Sequence, residues 1–97
     1  MRQFRVDAYV VDTLMADLVS HDRRPSAFLV YLHLLRRSAG RRAAVAASHQ
    51  EMAIATGLSK SAVQGAIRIL TRRRLVRAAR RHLADVPTYA VLSPWRR

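Results

Sequence analysis

The sequence predicts a small, mainly α-helical domain that carries a β-hairpin, which is an α+β fold. Residues 48–74 have the pattern of two short helices joined by a tight turn. An apolar segment precedes them at residues 26–37, and two alternating segments that can pair as a hairpin follow at residues 75–92. With 97 residues, 51% of them hydrophobic, the chain has the length and the apolar content of one folded domain.

The first 24 residues form an extension in this interpretation. Apolar residues alternate weakly over residues 2–11, which predicts a short strand. Asp12 then caps a predicted helix over residues 13–20. The apolar positions of this helix recur at helical spacing: Leu14, Met15, Leu18 and Val19. We expect this helix to pack on the core, with dimerisation as the alternative.

Pro25 suits the first position of a helix, where its missing N–H is not needed. The helix that it opens, over residues 26–37, is apolar on most sides and is therefore predicted to be the buried central helix. Gly40 suits the cap that follows it. His33 within this helix is expected to be a histidine at the edge of the core rather than a ligand. Residues 41–47 form a link with room for a brief strand.

The two helices of residues 48–74 have clear capping signals. Ser48 with Glu51 three residues later predicts a capping box. Gly57 stands where a left-handed backbone would end the first helix, and Ser59 can cap the second. The apolar positions of the second helix form one stripe: Ala62, Val63, Ala66, Ile67 and Leu70. Gly65 interrupts this helix, which indicates either a close approach to its backbone or fraying.

This stretch resembles the bacterial helix-turn-helix signature, whose spacing is met by Ala53, Gly57, Leu58 and Val63. Residues 57–64 look like the turn and the recognition-helix start of winged-helix DNA-binding domains from transcriptional regulators and plasmid replication initiators. Residues 26–37 resemble the first helix of such domains. The resemblance implies a winged helix-turn-helix, with a three-helix core plus wing and an extra N-terminal helix. The domain would span residues 25–97 and form one compact unit with the extension at residues 1–24.

The hairpin that follows the second helix is the predicted wing. Its outgoing strand covers residues 75–81, its loop residues 82–87 and its return strand residues 88–92. The wing carries Arg77, Arg80 and Arg81. In winged-helix domains a strand in the place of the 41–47 link pairs with the wing.

The charge is strongly positive, at +12, and it is uneven. Residues 1–22 hold four acids against two arginines, a net of −2, whereas residues 23–97 hold sixteen bases against two acids, a net of +14. Such a field attracts a polyanion. Seventeen of the eighteen bases are arginine. A GC-rich genome would explain that preference but not the excess of base over acid.

The charge and the resemblance together predict that the partner is double-stranded DNA. The predicted DNA-binding residues are Ser59, Lys60, Ser61, Gln64, Arg68, Arg72, Arg77, Arg80 and Arg81. Gln64 suits adenine, and Arg68 suits guanine or phosphate. Arg72, Arg73 and Arg74 at the helix end are either phosphate contacts or charges that favour a helix C-terminus. A homodimer is expected, with the N-terminal helix as its first candidate interface and Trp95 as its second.

The sequence gives no sign of catalysis or of a bound cofactor. The chain has no Cys, and its four histidines stand at least twelve residues apart, without metal-ligand spacing. No enzyme activity, metal, cofactor or small-molecule ligand is predicted. The sequence contains no run of about 18 apolar residues, the length that would predict a membrane-spanning helix. A cytoplasmic, nucleoid-associated protein is therefore expected. The alternatives are a winged-helix protein-interaction module, a plasmid replication or partition protein, and RNA binding, which the low aromatic content of 6% disfavours.

Overall fold

A computed structural model describes residues 2–38 and 44–96 of the chain. Helices pack against a three-stranded antiparallel sheet, so the predicted α+β class is confirmed. Two π-helical segments come first, at Val10–Leu14 and Asp17–His21. The later elements are α1 (Pro25–Ser38), β1 (Val45–Ala46), α2 (His49–Thr56), α3 (Lys60–Arg72), β2 (Val76–Ala79) and β3 (Thr88–Val91).

The N-terminal segment differs from its prediction. Residues 2–7 contain no strand, so the predicted strand is wrong. Helical structure begins at Ala8, and the backbone N–H of Val10 donates to the carbonyl of Asp7 at 3.0 Å. Asp12 therefore lies inside a helical segment and not at its cap. The helical segment that follows buries Val10, Leu14 and Leu18, and this burial of apolar side chains is what the weak alternation of residues 2–11 did not indicate.

The helical part of the extension packs into the core, which confirms the first of the two expectations for it. Val10, Leu14 and Leu18 are buried, and they recur every four residues. In these π-helical segments the N–H of residue i+5 donates to the carbonyl of residue i, so each turn holds more residues than a turn of an α-helix. Side chains four residues apart therefore lie on the same side of the segment. Met15 and Val19, predicted in the same stripe, are instead 39% and 38% exposed.

Helix α1 is the central helix, as predicted. It begins at Pro25 and buries Val30, Tyr31 and Leu34 completely, against α3, α2 and β3. The Tyr31 hydroxyl donates to the backbone carbonyl of Leu92 at 2.9 Å, which ties the helix to the end of β3. The predicted cap at Gly40 and the start of the following link, residues 41–43, lie outside the described residues.

Both caps of the helix pair are formed as predicted. Ser48 Oγ accepts from the Glu51 N–H at 3.1 Å, and Glu51 Oε1 accepts from the Ser48 N–H at 3.2 Å, which completes the capping box. Gly57 ends α2 with φ +79°, a left-handed conformation that only glycine adopts at low cost. Ser59 caps α3. These local signals determine where α2 begins and ends and where α3 begins.

The sheet has the strand order β1, β3, β2, with all neighbours antiparallel. Val45 of β1 pairs with Tyr89, and Val76 of β2 pairs with Val91. The hairpin strands are shorter than the predicted spans of residues 75–81 and 88–92 but lie within them. The described part of the 41–47 link supplies the predicted brief strand, β1.

The core is mostly aliphatic, but its two largest fully buried side chains are tyrosines. Tyr31 lies in α1 and Tyr89 in β3. Burial disfavours the charged phenolate, so it raises the pKa of Tyr31 to about 12 and also raises the pKa of Tyr89. Both rings therefore stay neutral and serve the packing of helices on the sheet.

Candidate nucleic-acid interface

Helix α3 separates an apolar side from a polar side. Val63, Ala66 and Leu70 have no solvent exposure. We call five of the exposed polar residues of the helix, all of them predicted to bind DNA, the α3 face: Lys60, Ser61, Gln64, Arg68 and Arg72. This face carries three positive charges, and α3 contains no acidic residue. The arrangement offers hydrogen-bond donors and positive charge to a partner along about three turns of helix.

The start of the α3 face is held rigidly by its cap. Ser59 Oγ accepts from the Ala62 N–H at 3.0 Å. Its hydroxyl proton remains available to donate to a ligand. Ser61 is exposed in the first turn, where backbone N–H groups and the helix dipole also favour an anion.

The three arginines at the end of α3 have different surroundings. Arg72 is exposed and lies on the α3 face. Arg73 instead forms two hydrogen bonds with Asp22 of the extension: Nε donates to Oδ2 at 2.6 Å, and Nη2 donates to Oδ1 at 2.8 Å. Hydrogen bonds from Arg73 lower the pKa of the Asp22 carboxyl and keep it ionised. The guanidinium of Arg73 is therefore engaged with the extension, and of the two arginines only Arg72 lies on the α3 face. Arg74 follows with φ +58° where the chain turns towards β2.

The hairpin arginines are exposed but do not share one surface. Arg77 follows the buried Val76, so strand alternation turns it to the outer side of the sheet. It lines a cleft of about 540 Å³ together with Arg5 and Arg96, and no residue of α3 lines that cleft. Arg77 is thus separated from the α3 face.

The arginines at the hairpin tip sit in a structured turn. Arg80 Nη1 donates to the Leu83 carbonyl at 3.0 Å. Asp85 closes the turn by accepting from the His82 N–H at 3.1 Å. Arg81 is exposed between them. Leu83 is 91% exposed, so the tip projects into solvent with an apolar side chain beside its positive charges.

Trp95, the second candidate for a dimer contact, is engaged within the chain. Its ring stacks on Tyr9 with 4.5 Å between centroids, and its Nε1 donates to Asp7 Oδ2 at 3.1 Å. Arg96 also binds Asp7, because its Nε donates a hydrogen bond to Oδ2 at 2.6 Å. Hydrogen bonds from Arg96 and Trp95 lower the pKa of the Asp7 carboxyl. The C-terminal segment is thereby tied to the extension, a role that its sequence did not indicate.

Gly65 lies in an unbroken α3, so the fraying interpretation is wrong. A Cβ atom at this position would lie 4.0 Å from Nη1 of Arg24, and no other side chain is as near. At that distance the contact is an ordinary one and does not require glycine, and the neighbouring group is an arginine of the extension. Local spacing could not reveal it, because 41 residues separate the two positions.

The histidine of α1 lies at the edge of the core, as expected. Burial, with a smaller effect from Arg37, lowers the pKa of His33 and favours its neutral form. Its Nε2 is buried and has no hydrogen-bond partner among residues 2–38 and 44–96. The same described residues contain no group of three or more side chains able to hold a metal ion.

Comparison with known proteins identified no relative. No family model matches the chain, and neither does any curated protein or solved structure. Within the described ranges, no helix has the length and apolar character needed to cross a bilayer. The α3 face, the exposed hairpin tip and the positive charge are the features from which a function can be inferred.

Proposed function

We propose that the chain is a winged helix-turn-helix domain that binds double-stranded DNA in a sequence-dependent way and acts as a transcriptional regulator. The observation that carries this proposal is the α3 face. A helix that buries Val63, Ala66 and Leu70 and exposes a side of cations and hydrogen-bonding groups, free of acids, is suited to the major groove. The net charge of +12 also favours a nucleic acid as the partner.

The arrangement of elements supports the winged-helix part of the proposal. A helix, a short strand, two helices joined by a Gly turn and a hairpin follow one another in the chain. The short strand β1 pairs with β3, the return strand of the hairpin. The hairpin tip with Arg80 and Arg81 then lies after α3, where it would reach backbone beside the groove.

The residues of the α3 face divide into two roles in this proposal. Ser61 and Gln64 stand in the first half of α3, the part that lies nearest the base edges in helix-turn-helix docking. Gln64 can form a bidentate pair with adenine, and Arg68 can pair with guanine or a phosphate. Lys60 and Arg72 would contact phosphates at the two ends of the helix.

Binding of this kind has a measurable salt dependence. Neutralising about five phosphates makes log affinity fall with log salt concentration with a slope of about −4.5, since each contact contributes about −0.9. Between 50 and 200 mM salt this corresponds to an affinity loss of roughly 500-fold. A protein-interaction module would not show this slope with duplex DNA.

The experiment that tests the proposal is selection of bound sequences from random duplexes, followed by titrations at several salt concentrations. Gln64→Ala is expected to relax the preference at one base position and cost about 1–3 kcal/mol on the selected site. Arg81→Gln is expected to weaken all sequences by a similar factor, because a phosphate contact carries no base information. Absence of duplex binding at low salt, or binding without salt dependence, would refute the proposal.

The main alternative is a protein-interaction module with the same arrangement of elements. Two exposed apolar side chains favour it: Ile54 on α2 is 76% exposed and Leu83 at the hairpin tip is 91% exposed. Such a module would keep its partner after Gln64→Ala and lose it after Ile54→Glu. A plasmid replication or partition protein would bind DNA as proposed and differ only in the genomic position of the selected sites.

A homodimer on two half-sites is also part of the proposal. Trp95 is engaged within the chain, which leaves the outer side of the N-terminal segment as the remaining one of the two candidate interfaces. Val11, Met15 and Val19 are exposed there at four-residue spacing. Light scattering on free and DNA-bound protein, with Met15→Glu as the variant, measures whether two chains bind together.

A further inference from the structure

Arg24 lies beside the α3 face although it belongs to the extension. Its Nη1 is the nearest side-chain atom to the position of a Cβ on Gly65, at 4.0 Å. Arg68 and Arg72 follow Gly65 by three and seven residues, so all three positions share one side of α3. The Arg24 guanidinium is thereby brought to the edge of the α3 face.

The backbone of Arg24 is fixed on both sides. Its N–H donates to the Leu18 carbonyl at 2.8 Å, and its carbonyl accepts from the Ala27 N–H at 3.0 Å. The first bond joins it to the N-terminal helical segment and the second to the first turn of α1. Two residues earlier, Asp22 is held by Arg73 at the end of α3. Arg24 therefore starts from a fixed position and loses little backbone entropy when it binds a ligand.

Arg24 is a free cation in the described part of the chain. It forms none of the salt bridges found there. The acid nearest in sequence, Asp22, has both carboxylate oxygens bound by Arg73. The Asp22–Arg73 pair thus does two things: it holds the link to α3, and it leaves the positive charge of Arg24 uncompensated.

We infer that Arg24 contacts a DNA backbone phosphate beside the groove occupied by α3, so that the extension is part of the DNA interface. The inference rests on the proposed function and adds to it a contact from outside the helix pair and the hairpin. A Cβ on Gly65 would meet this guanidinium only at an ordinary contact distance, so the arrangement does not require glycine at this position. The extension, acidic in sequence, thereby contributes a cation to the interface.

The test compares Arg24→Gln, Arg24→Lys and Arg36→Gln with the wild type, by anisotropy titrations of the selected duplex between 50 and 300 mM salt. One phosphate contact contributes about 0.9 to the slope of log affinity against log salt. Arg24→Gln is therefore expected to flatten the slope by about 1 and to weaken binding about 8-fold at 100 mM salt, equally for selected and unrelated duplexes. Arg24→Lys keeps the charge and should keep most of the slope.

Arg36→Gln is the matched control, because it removes the same charge from a guanidinium that lies over the Phe4 ring, 5.5 Å from its centroid. It is expected to change affinity less than about 2-fold. Thermal unfolding of each variant confirms that it is folded. If the wild type binds DNA and Arg24→Gln behaves like Arg36→Gln, the inference is overturned and the proposed function stands. The inference is also overturned if Arg24→Lys loses as much slope as Arg24→Gln. If the wild type binds no duplex, both fail together.

Discussion

The pair formed by Asp22 and Arg73 joins the extension to the end of α3, and its contribution to stability can be measured by a double-mutant cycle. The two side chains are 15% and 32% exposed, and two hydrogen bonds at 2.6 and 2.8 Å join them. Exposed ion pairs contribute about 0.2–1 kcal/mol, and loss of one partner from a fully buried pair costs about 3–5 kcal/mol. The intermediate burial places each single change, Asp22→Asn or Arg73→Gln, at about 1–2 kcal/mol.

The assay is urea unfolding of the wild type, both single variants and the double variant at pH 7 in low salt. A coupling energy of about 1 kcal/mol is expected, and in thermal unfolding each single variant should lose roughly 4–16 °C in Tm, since about 4–8 °C accompanies each kcal/mol in a domain of this size. Asp12→Asn is the control: it removes the same charge from an exposed side chain and should change stability by less than about 0.5 kcal/mol. Additive effects of the two single changes at pH 7 would refute the interpretation of the contact as a stabilising pair.

The pH dependence of this coupling has a defined sign. The pKa of Asp22 is lowered from its usual value of 3.8 in the folded chain, mainly by hydrogen bonds from Arg73. The contribution of the pair is therefore fully present above pH 3.8 and is lost as pH falls through the lower, folded value. The coupling energy measured at pH 5 should match that at pH 7 and should decrease below pH 3.8. A coupling that weakens between pH 7 and pH 5 would contradict this assignment.

Four further changes test the local structure of the helix pair and of α1. Ser48→Ala removes the capping box of α2 and is expected to cost about 1 kcal/mol in urea unfolding, whereas no loss would mean that the cap is dispensable. Gly57→Ala and Gly65→Ala should have opposite effects on Tm: the first forces alanine to φ +79° at a cost of about 1–2 kcal/mol, and the second gains about 0.5–1 kcal/mol because its Cβ meets only ordinary contact. Equal effects of the two would contradict this account. Tyr31→Phe removes the hydrogen bond to Leu92 and should cost about 0.5–1.5 kcal/mol, and ultraviolet titration of the wild type should show the Tyr31 phenol ionising only near pH 12.

The elements that the sequence predicted well are those whose signals are local. Ser48 and Glu51 stand one helical turn apart, so the residues themselves specify the capping box. Gly57 predicts its own left-handed backbone for the same reason. The polar and apolar sides of α3 also follow from spacing, because a helix of 13 residues repeats its faces several times.

The features that sequence reasoning missed depend on distant residues. The contact of Asp22 with Arg73 joins residues 51 apart, and that of Asp7 with Arg96 joins residues 89 apart. With eighteen basic residues in the chain, nothing local indicates which arginine a given aspartate will bind. Arg73 differs from Arg72 only by a rotation of about 100° around α3, which turns it from the solvent towards the extension. The identity of the residues was readable, but their pairing required the fold.

Four acidic residues form hydrogen bonds that stabilise the fold, and they do so away from the positively charged α3 face. Asp7 and Asp22 bind arginines that tie the two chain ends and the extension to the rest of the fold. Glu51 caps α2, and Asp85 closes the hairpin turn. These acids are placed where a negative charge stabilises the structure, and none of them lies on α3.

The consequence of this placement is a division between structural and functional arginines. Arg73 and Arg96 are neutralised by their partners, and their contribution to the field felt by an approaching polyanion is correspondingly small. Arg68 and Arg72 on α3, and Arg24 beside it, form no salt bridge in the part of the chain that the structure describes, so their positive charge is not compensated.

Salt should therefore have opposite effects on DNA affinity and on the stability of the fold. Raising the salt concentration would weaken the proposed DNA binding through the uncompensated arginines, while it relieves the mutual repulsion of the excess positive charge in the folded domain. A rise in Tm across the same salt range in which duplex affinity falls would be the signature of this division, and a parallel fall of both would show that the ion pairs, rather than the excess charge, dominate the stability of the fold.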